Sequence, residues 1–167
     1  MSEAVLILMG SANDWEILRE AGVELDQLGV RWRAHVASAH RTPARLVELV
    51  RTGEAAGVQV FICGAGMAAH LAGAVAANTV RPVIGVPLPG GLADGLDALL
   101  STVQMPSGIP VATVAVGKPG ARNAAILAAQ ILAIDNPTLA KRLLEARKAH
   151  ASAVEKADAS LTEKRGA

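Results

Sequence analysis

Two histidines and a group of small polar residues carry the most evident chemistry in this sequence. Ser38, His40 and Arg41 lie in the segment SAHRTP, and His70 lies in the segment GAGMAAHL. Imidazole is the side chain that exchanges a proton closest to neutral pH, so His40 is a candidate general acid or base. The guanidinium of Arg41 can fork onto a phosphate. The pattern indicates proton transfer beside an anion, although an exposed loop histidine next to a surface arginine gives the same pattern.

A second polar segment follows the first apolar run of the chain. Ser11, Asn13 and Asp14 follow Gly10 there, and their side chains and backbone N–H groups can hold a phosphorylated ligand. The segment matches neither a Walker loop nor the GxGxxG pattern. The same residue types also cap helices, so ligand binding and capping both stay open. For His70, a structural role in a first helical turn is likewise open beside a catalytic one.

The polar segments follow predicted strands. Apolar runs alternate with helical patterns up to residue 134, which is typical of repeated βαβ units. The predicted strands are Ala4–Met9, Arg31–Ala37, Val58–Gly64, Pro82–Val86 and Val111–Val116. The predicted helices are Asp14–Leu28, Pro43–Ala56, Ala68–Asn78, Leu92–Val103 and Lys118–Ile134. We therefore expect a three-layer αβα sandwich with a parallel, five-stranded, flavodoxin-like sheet.

The order of the predicted elements brings the polar segments together. Ligands of open parallel sheets bind outside the carboxyl ends of the strands, where these segments lie. In the second predicted strand, Arg31, Arg33 and His35 alternate with apolar residues. One face of that strand is therefore expected to contact water, as at the edge of a sheet.

The composition excludes several classes of function. Lys and Arg number 16 against 15 Asp and Glu, a net charge of +1, so neither nucleic acid nor a membrane is an expected partner. The chain has no tyrosine, which excludes tyrosine acid–base chemistry. Its single cysteine, Cys63, and the lack of ligand spacings predict no metal site and a reducing compartment. With no signal segment at the start, we expect a cytoplasmic protein.

The end of the chain has a different pattern. We expect one domain over residues 1–167, with an α/β core at 1–134 and a helical extension at 135–167. Asp135 or Asn136 can cap a helix that has Pro137 in its first turn and continues to about Lys164. A helix of that length exceeds the domain, so part of its apolar stripe is expected to pack on a neighbouring subunit. A frayed helix on its own domain is the alternative.

Together these segments resemble the N5-carboxyaminoimidazole ribonucleotide mutase family of purine biosynthesis, in its octameric bacterial class. The resemblance covers nearly the whole chain and rests on Met9–Ser11, Asp14–Trp15, Ser38–Pro43, Ala68–Leu71, Gln104–Val111, Asn123–Ala125 and Gln130–Leu132. It implies that a carboxyl group moves from the exocyclic nitrogen of an aminoimidazole ribonucleotide to ring carbon C4. It further implies a homo-octamer with a small-molecule ribonucleotide substrate and no metal or organic cofactor.

The resemblance also assigns residues. It implies that His40 is the general acid and base of the proton transfer, and that His70 borders the carboxylate as a second catalytic residue. The substrate-binding residues that it implies are Ser11, Asn13, Asp14, Ser38, Arg41, Gly64, Ala65, Gly66, Ala69 and Leu71. The sequence departs from the family at Asn13 (usually Ser), Met67 (usually Gly), Ala72 (usually Pro) and in the segment 88–94. These departures leave open a paralogue that acts on a related ribonucleotide.

Two other functions stay open at this point. One is a carboxylase that uses free CO2 on aminoimidazole ribonucleotide, as in the animal-type class of the family. The sequence Arg41-Thr42-Pro43 resembles the mutase class more closely. The other is a noncatalytic module that binds a nucleotide or flavin phosphate, although an aromatic content of 2% gives little for a flavin ring to stack on.

Overall fold

The computed structural model describes residues 3–165, with side chains from 3 to 161. A parallel sheet of five strands lies between two layers of helices, in the strand order β2-β1-β3-β4-β5. The strands are β1 (Val5–Met9), β2 (Trp32–Val36), β3 (Val60–Ala65), β4 (Val83–Pro87) and β5 (Ala112–Thr113). The helices are α1 (Trp15–Gln27), α2 (Pro43–Ala55), α3 (Leu71–Ala76), α4 (Leu96–Val103), α5 (Lys118–Leu132) and α6 (Pro137–Arg165). The predicted flavodoxin-like sandwich is confirmed.

Two hydrophobic clusters cover the two faces of the sheet. Ile7 of β1 packs on one face in a cluster with Leu18 of α1, and α5 joins the same cluster. The next residue, Leu8, points to the other face, where it clusters with Leu46 of α2 and Val75 of α3. Because β1 is buried on both faces, all five of its residues are apolar.

The two outer strands differ in how well the sequence predicts them. β2 pairs only with β1 and is the expected edge strand. β5 has only two residues, whereas the prediction was Val111–Val116. The N–H of Val114 still bonds to the carbonyl of Gly85 at 3.1 Å, so the chain continues beside β4 for a short distance. The N–H of Gly117 likewise bonds to the carbonyl of Pro87 at 2.9 Å, just before α5 begins.

The helix after β3 is shorter than its predicted range, Ala68–Asn78. It spans Leu71–Ala76, and His70 occupies the N-cap position instead of the first helical turn. The cause lies in the preceding loop, where Met67 has a φ of 56°. A residue in this left-handed region interrupts a right-handed helix, so α3 starts only after the loop has turned.

The helix after β4 also starts later than predicted. In place of Leu92–Val103, a short 3-10 turn at Leu92–Asp94 precedes α4. Ala93, Asp94 and Gly95 have φ values of 47°, 52° and 103°. Two of these left-handed residues lie within the turn and Gly95 follows it, so the turn does not continue into α4 as one right-handed helix.

The last helix, α6, packs on the domain only near its beginning. Its 29 residues span about 43 Å. As predicted, Asn136 caps it, because its Oδ1 accepts a hydrogen bond from the N–H of Leu139 at 3.1 Å. Leu139 is buried, whereas Val154 and Leu161 farther along are exposed. Across residues 3–165, we find no helix whose length and apolarity would suffice to span a membrane.

Candidate active site

The loops that follow the first four strands enclose a cleft at the carboxyl edge of the sheet. Its volume is about 630 Å3. It is lined by Gly10, Ser11, Asp14, Ser38, Ala39, His40, Arg41, Ala65, Gly66, Met67, Ala68, His70, Leu71, Leu88, Pro89, Gly90 and Gly91. The polar segments that the sequence placed at three different strand ends therefore share one cavity.

Other cavities of similar or larger size lack this chemistry. A groove of about 1000 Å3 lies at the opposite edge of the sheet, where Arg81 and Glu54 contribute charge but no histidine is present. A groove of about 590 Å3 between α5 and α6 is lined mainly by apolar residues, and its histidine, His150, lies on the exposed part of α6. Size alone does not locate the site, and the cleft at the carboxyl edge is the candidate.

His40 and His70 contact each other directly within the cleft. Nε2 of His40 lies 2.6 Å from Nδ1 of His70, and the rings meet edge to face with centroids 4.8 Å apart. Such a contact needs one N–H donor and one nitrogen lone pair, so two fully protonated rings cannot make it. Both side chains are exposed to solvent and can be reached by a ligand. The pair is therefore suited to hold and pass a single proton.

The loop after β2 holds itself together and presents its functional groups. The backbone N–H of Arg41 donates to Oγ of Ser38 at 3.2 Å, and the guanidinium donates to the carbonyl of Gly10 at 3.2 Å. Thr42 precedes α2, but its hydroxyl bonds back to Ser38 and does not cap the helix. A second guanidinium N–H, on Nε, lies 3.5 Å from Oγ of Ser38, so three of the five guanidinium N–H groups remain for an anion in the cleft.

The loop after β1 forms a helix cap and also borders the cleft. The N–H of Ser11 donates to the carboxylate of Asp14 at 2.9 Å, and the hydroxyl of Ser11 accepts from the N–H of Asn13 at 3.3 Å, which is a capping box. Ser11 and Asp14 nevertheless line the cleft. Partial burial raises the pKa of Asp14, against the lowering effects of the Ser11 and Gly10 N–H groups and of the Arg41 charge.

Three residues of the predicted binding set do not line the cleft. Asn13 is exposed beside it, and Ala69 is buried behind the loop. Gly64 lies within β3, where a Cβ atom would come within 2.5 Å of the Leu18 side chain. Its lack of a side chain is thus required for packing α1 on the sheet. Contact of these three residues with a ligand stays a prediction.

Several residues of the cleft wall are not among the predicted site residues. Ala39 lies between Ser38 and His40, and Ala68 precedes Ala69, but their small side chains gave no signal of their own. Leu88, Pro89, Gly90 and Gly91 form a further wall. These four residues directly follow the fourth strand. That position indicates that they border the site, because all loops at the carboxyl edge lie on the same side of the sheet.

Alanine substitutions at Gly64 and Gly66 distinguish a role in packing from a role in ligand contact. We expect Gly64→Ala to lower the free energy of unfolding by about 1–3 kcal/mol, because the new methyl group overlaps Leu18. A Cβ at Gly66 would meet its nearest neighbour at 3.8 Å, so Gly66→Ala should leave stability nearly unchanged while it narrows the cleft and lowers activity. Urea unfolding and a rate assay on both variants check this, and equal stability of the two would contradict the packing argument.

The fold and the cleft place this chain among flavodoxin-like α/β proteins that have an enzyme-like site at the carboxyl edge of a parallel sheet. A family model described as AIR carboxylase matches residues 4–153. The chain belongs to the AIR carboxylase family.

Several curated relatives of the chain are named N5-carboxyaminoimidazole ribonucleotide mutase. The N5-carboxyaminoimidazole ribonucleotide mutase of Brucella melitensis is 51% identical over 154 residues, covering 92% of this chain and 95% of the relative. The protein of that name from Saccharolobus solfataricus is 53% identical, covering 83% and 87%. The one from Escherichia coli K12 is 49% identical, covering 90% and 89%. Among solved structures, Treponema denticola PurE superposes with a TM-score of 0.86 at 30% identity, covering 94% and 97%.

Proposed function

We propose that this chain is an N5-carboxyaminoimidazole ribonucleotide mutase. The observation that carries the proposal is the contact of His40 with His70 in the same cleft as Arg41. That arrangement offers a proton carrier next to an anion-binding side chain, which the rearrangement of a phosphorylated carbamate requires. Relatives about half identical over most of the chain carry this enzyme name, which supports the same assignment.

The charged groups of the cleft suit different parts of the ribonucleotide. Arg41 and the hydroxyl of Ser38 donate hydrogen bonds and fit the phosphate. Asp14 as a carboxylate only accepts them, so it would repel a phosphate at close range but fits the ribose hydroxyl groups. The substrate thus lies with its sugar phosphate toward the first two loops and its base toward His40 and His70.

The proposed reaction needs one proton to be given and one to be removed. The carbamate C–N bond breaks, its electron pair stays on the exocyclic nitrogen, and that nitrogen takes a proton as CO2 leaves. Ring carbon C4 then bonds to the CO2 carbon and loses its own proton, which restores the aromatic ring. His40 gives the first proton and takes back the second, so no net proton is consumed. His70 contacts the Nε2 of His40 and holds the ring of His40 in place beside the substrate.

An assay distinguishes the mutase from the carboxylase by the substrate that each enzyme requires. The chain is expected to convert N5-carboxyaminoimidazole ribonucleotide in bicarbonate-free buffer, with the carboxylated ring followed by its ultraviolet absorbance. A blank without protein corrects for spontaneous loss of the carboxyl group. Turnover only with aminoimidazole ribonucleotide and added bicarbonate would contradict the mutase and indicate the carboxylase.

We propose further that the enzyme is a homo-octamer in which α6 packs on a neighbouring subunit. Beyond Ala146 the described side chains of α6 are exposed apart from the half-buried Ser152. Val154 is 71% exposed and Leu161 is 61% exposed, although both are apolar. The helix α6 is about 43 Å long, and its own domain covers only its first turns. Its exposed apolar side chains are therefore available to pack on a second copy of the chain.

Truncation of α6 tests this assembly. Deleting the residues after Asn136 is expected to break the octamer and lower activity, although no residue of the cleft is removed. Because the deletion also removes the buried Leu139, a second variant with Val154→Asp and Leu161→Asp keeps the core intact. Light scattering measures the mass of both variants. If both variants had the mass of the unmodified assembly and full activity, the proposal would be wrong.

A further inference from the structure

The cleft wall Leu88–Gly91 belongs to a segment that burial alone does not fix. Residues 89–94 are all exposed, and Gly90 and Gly91 have φ values of 96° and 70°. Because glycine adopts left-handed and right-handed backbone about equally, a pair of glycines adds conformational freedom unless other contacts restrict it. The wall therefore presents one surface to a ligand only if polar contacts hold it.

Two carboxylates supply such contacts. Oδ1 of Asp94 accepts a hydrogen bond from the N–H of Gly90 at 3.1 Å. Oδ2 of Asp97 accepts one from the N–H of Leu92 at 3.0 Å. A Cβ atom at Gly91 would lie 2.5 Å from the same oxygen of Asp97, so this carboxylate packs directly against the wall. Neither aspartate lines the cleft, so both hold the wall from outside it.

Asp97 differs from Asp94 because a helix holds it in place. Asp94 lies in the exposed segment itself, whereas Asp97 is half-buried in the first turn of α4. Oδ1 of Asp97 accepts the N–H of Ala98 at 2.8 Å, and Ala98 is fully buried. One oxygen of Asp97 thus binds the helix and the other binds the segment. The position of α4 on the sheet therefore sets the position of the wall.

The strand order determines which half of a ligand the wall faces. β4 lies next to β3, on the side away from β1 and β2. The Cβ position of Gly66, in the loop after β3, is about 4 Å from Leu88 and Pro89, so the wall contacts this loop. His70 lies in the same loop. Since the proposed binding mode places the sugar phosphate at the first two loops, the wall faces the base.

We propose that Asp97 is a positioning residue that holds the wall Leu88–Gly91 against the base of the bound ribonucleotide. The inference rests on the proposed mutase function. Asp97 itself does not contact the ligand. The wall that it holds restricts rotation of the aminoimidazole ring, so that ring carbon C4 stays within reach of His40. Arg41 and Asp97 thereby act on opposite halves of the same ligand.

Two probes separate the halves of the ligand. Aminoimidazole ribonucleotide contains the base and the sugar phosphate, whereas ribose 5-phosphate contains the sugar phosphate alone. Their inhibition constants are measured against the mutase reaction of the full-length enzyme. In Asp97→Ala, we expect a several-fold higher constant for aminoimidazole ribonucleotide, a lower kcat and an unchanged constant for ribose 5-phosphate. Asp97→Asn keeps one oxygen that can accept the N–H of Leu92, so its values should lie between those of Asp97→Ala and the wild type.

Hydrogen exchange of the ligand-free enzyme, followed by mass spectrometry, tests the contact without any ligand. The backbone N–H groups of residues 88–96 should exchange several-fold faster in Asp97→Ala than in the wild type. Asp26→Ala is the matched control, because Asp26 accepts a hydrogen bond from Nε1 of Trp32 at 2.8 Å and does not line the cleft. It should leave the exchange of this segment and both inhibition constants unchanged.

Failure of this inference and failure of the proposed function give different results. If the wild type converts no carbamate, the proposed function is wrong, and the role of Asp97 toward the base is wrong with it. If the wild type converts the carbamate and Asp97→Ala weakens binding of neither probe, or of both by the same factor, only the inference is wrong. Unchanged hydrogen exchange in Asp97→Ala would also overturn the inference. The same comparisons on Asp97→Asn apply if Asp97→Ala does not fold.

Discussion

Replacement of His40 by glutamine is expected to lower kcat by about 10²–10⁴-fold, the range for loss of a general acid or base. Glutamine keeps a hydrogen-bonding side chain but cannot carry a proton between nitrogen and carbon. His40 is exposed in a loop, and its ring packs on the exposed His70, so its loss removes little buried surface. The thermal unfolding midpoint should therefore stay close to that of the wild type.

A matched control separates this effect from a general sensitivity to histidine loss. His150 is exposed on α6, away from the cleft, and His150→Gln should leave kcat unchanged. Steady-state rates and circular dichroism on both variants give the comparison. A His40→Gln enzyme with nearly normal kcat would show that another group moves the proton.

Replacement of Arg41 by methionine is expected to raise KM by about 10–150-fold, because a hydrogen bond to a charged group contributes roughly 1.5–3 kcal/mol. Methionine keeps the length of the side chain and removes its charge. Arg41→Lys keeps the charge but loses the planar fork, so its KM should fall between those of the wild type and Arg41→Met.

The control for Arg41 lies one helical turn farther along the chain. Arg45 is also exposed, but it does not line the cleft, so Arg45→Met should leave KM unchanged. Substrate titrations of the three variants test this. If Arg41→Met and Arg45→Met have the same KM, Arg41 does not bind the phosphate.

The sequence predicts those elements in which burial determines the pattern of apolar and polar residues. β1 is apolar at every position because both of its faces are covered. In the neighbouring edge strand Trp32 and Ala34 pack on the core, whereas Arg33 between them is exposed. The place of the site follows from the same logic, since parallel strands bring Ser11, Ser38 and His70 to one edge. These inferences need only the order of the elements and the side on which their loops open.

The details of the site depend on positions that no local pattern encodes. His40 and His70 are thirty residues apart, and their 2.6 Å contact depends on how the loops after β2 and β3 are oriented across β1, which lies between these strands. The late starts of α3 and α4 depend on left-handed residues at Met67 and Ala93, types that do not favour that conformation. For Gly64 the resemblance implies a binding role, whereas the structure shows a close packing contact with Leu18, a residue distant in the sequence.

A crystal structure of the chain with the carboxylated aminoimidazole ribonucleotide bound tests the central claim most directly. We predict that the phosphate contacts the guanidinium of Arg41 and the hydroxyl of Ser38, and that the ring lies within hydrogen-bonding distance of His40. A ribonucleotide bound in the groove between α5 and α6, or in the cleft with its phosphate at the two histidines, would contradict the account.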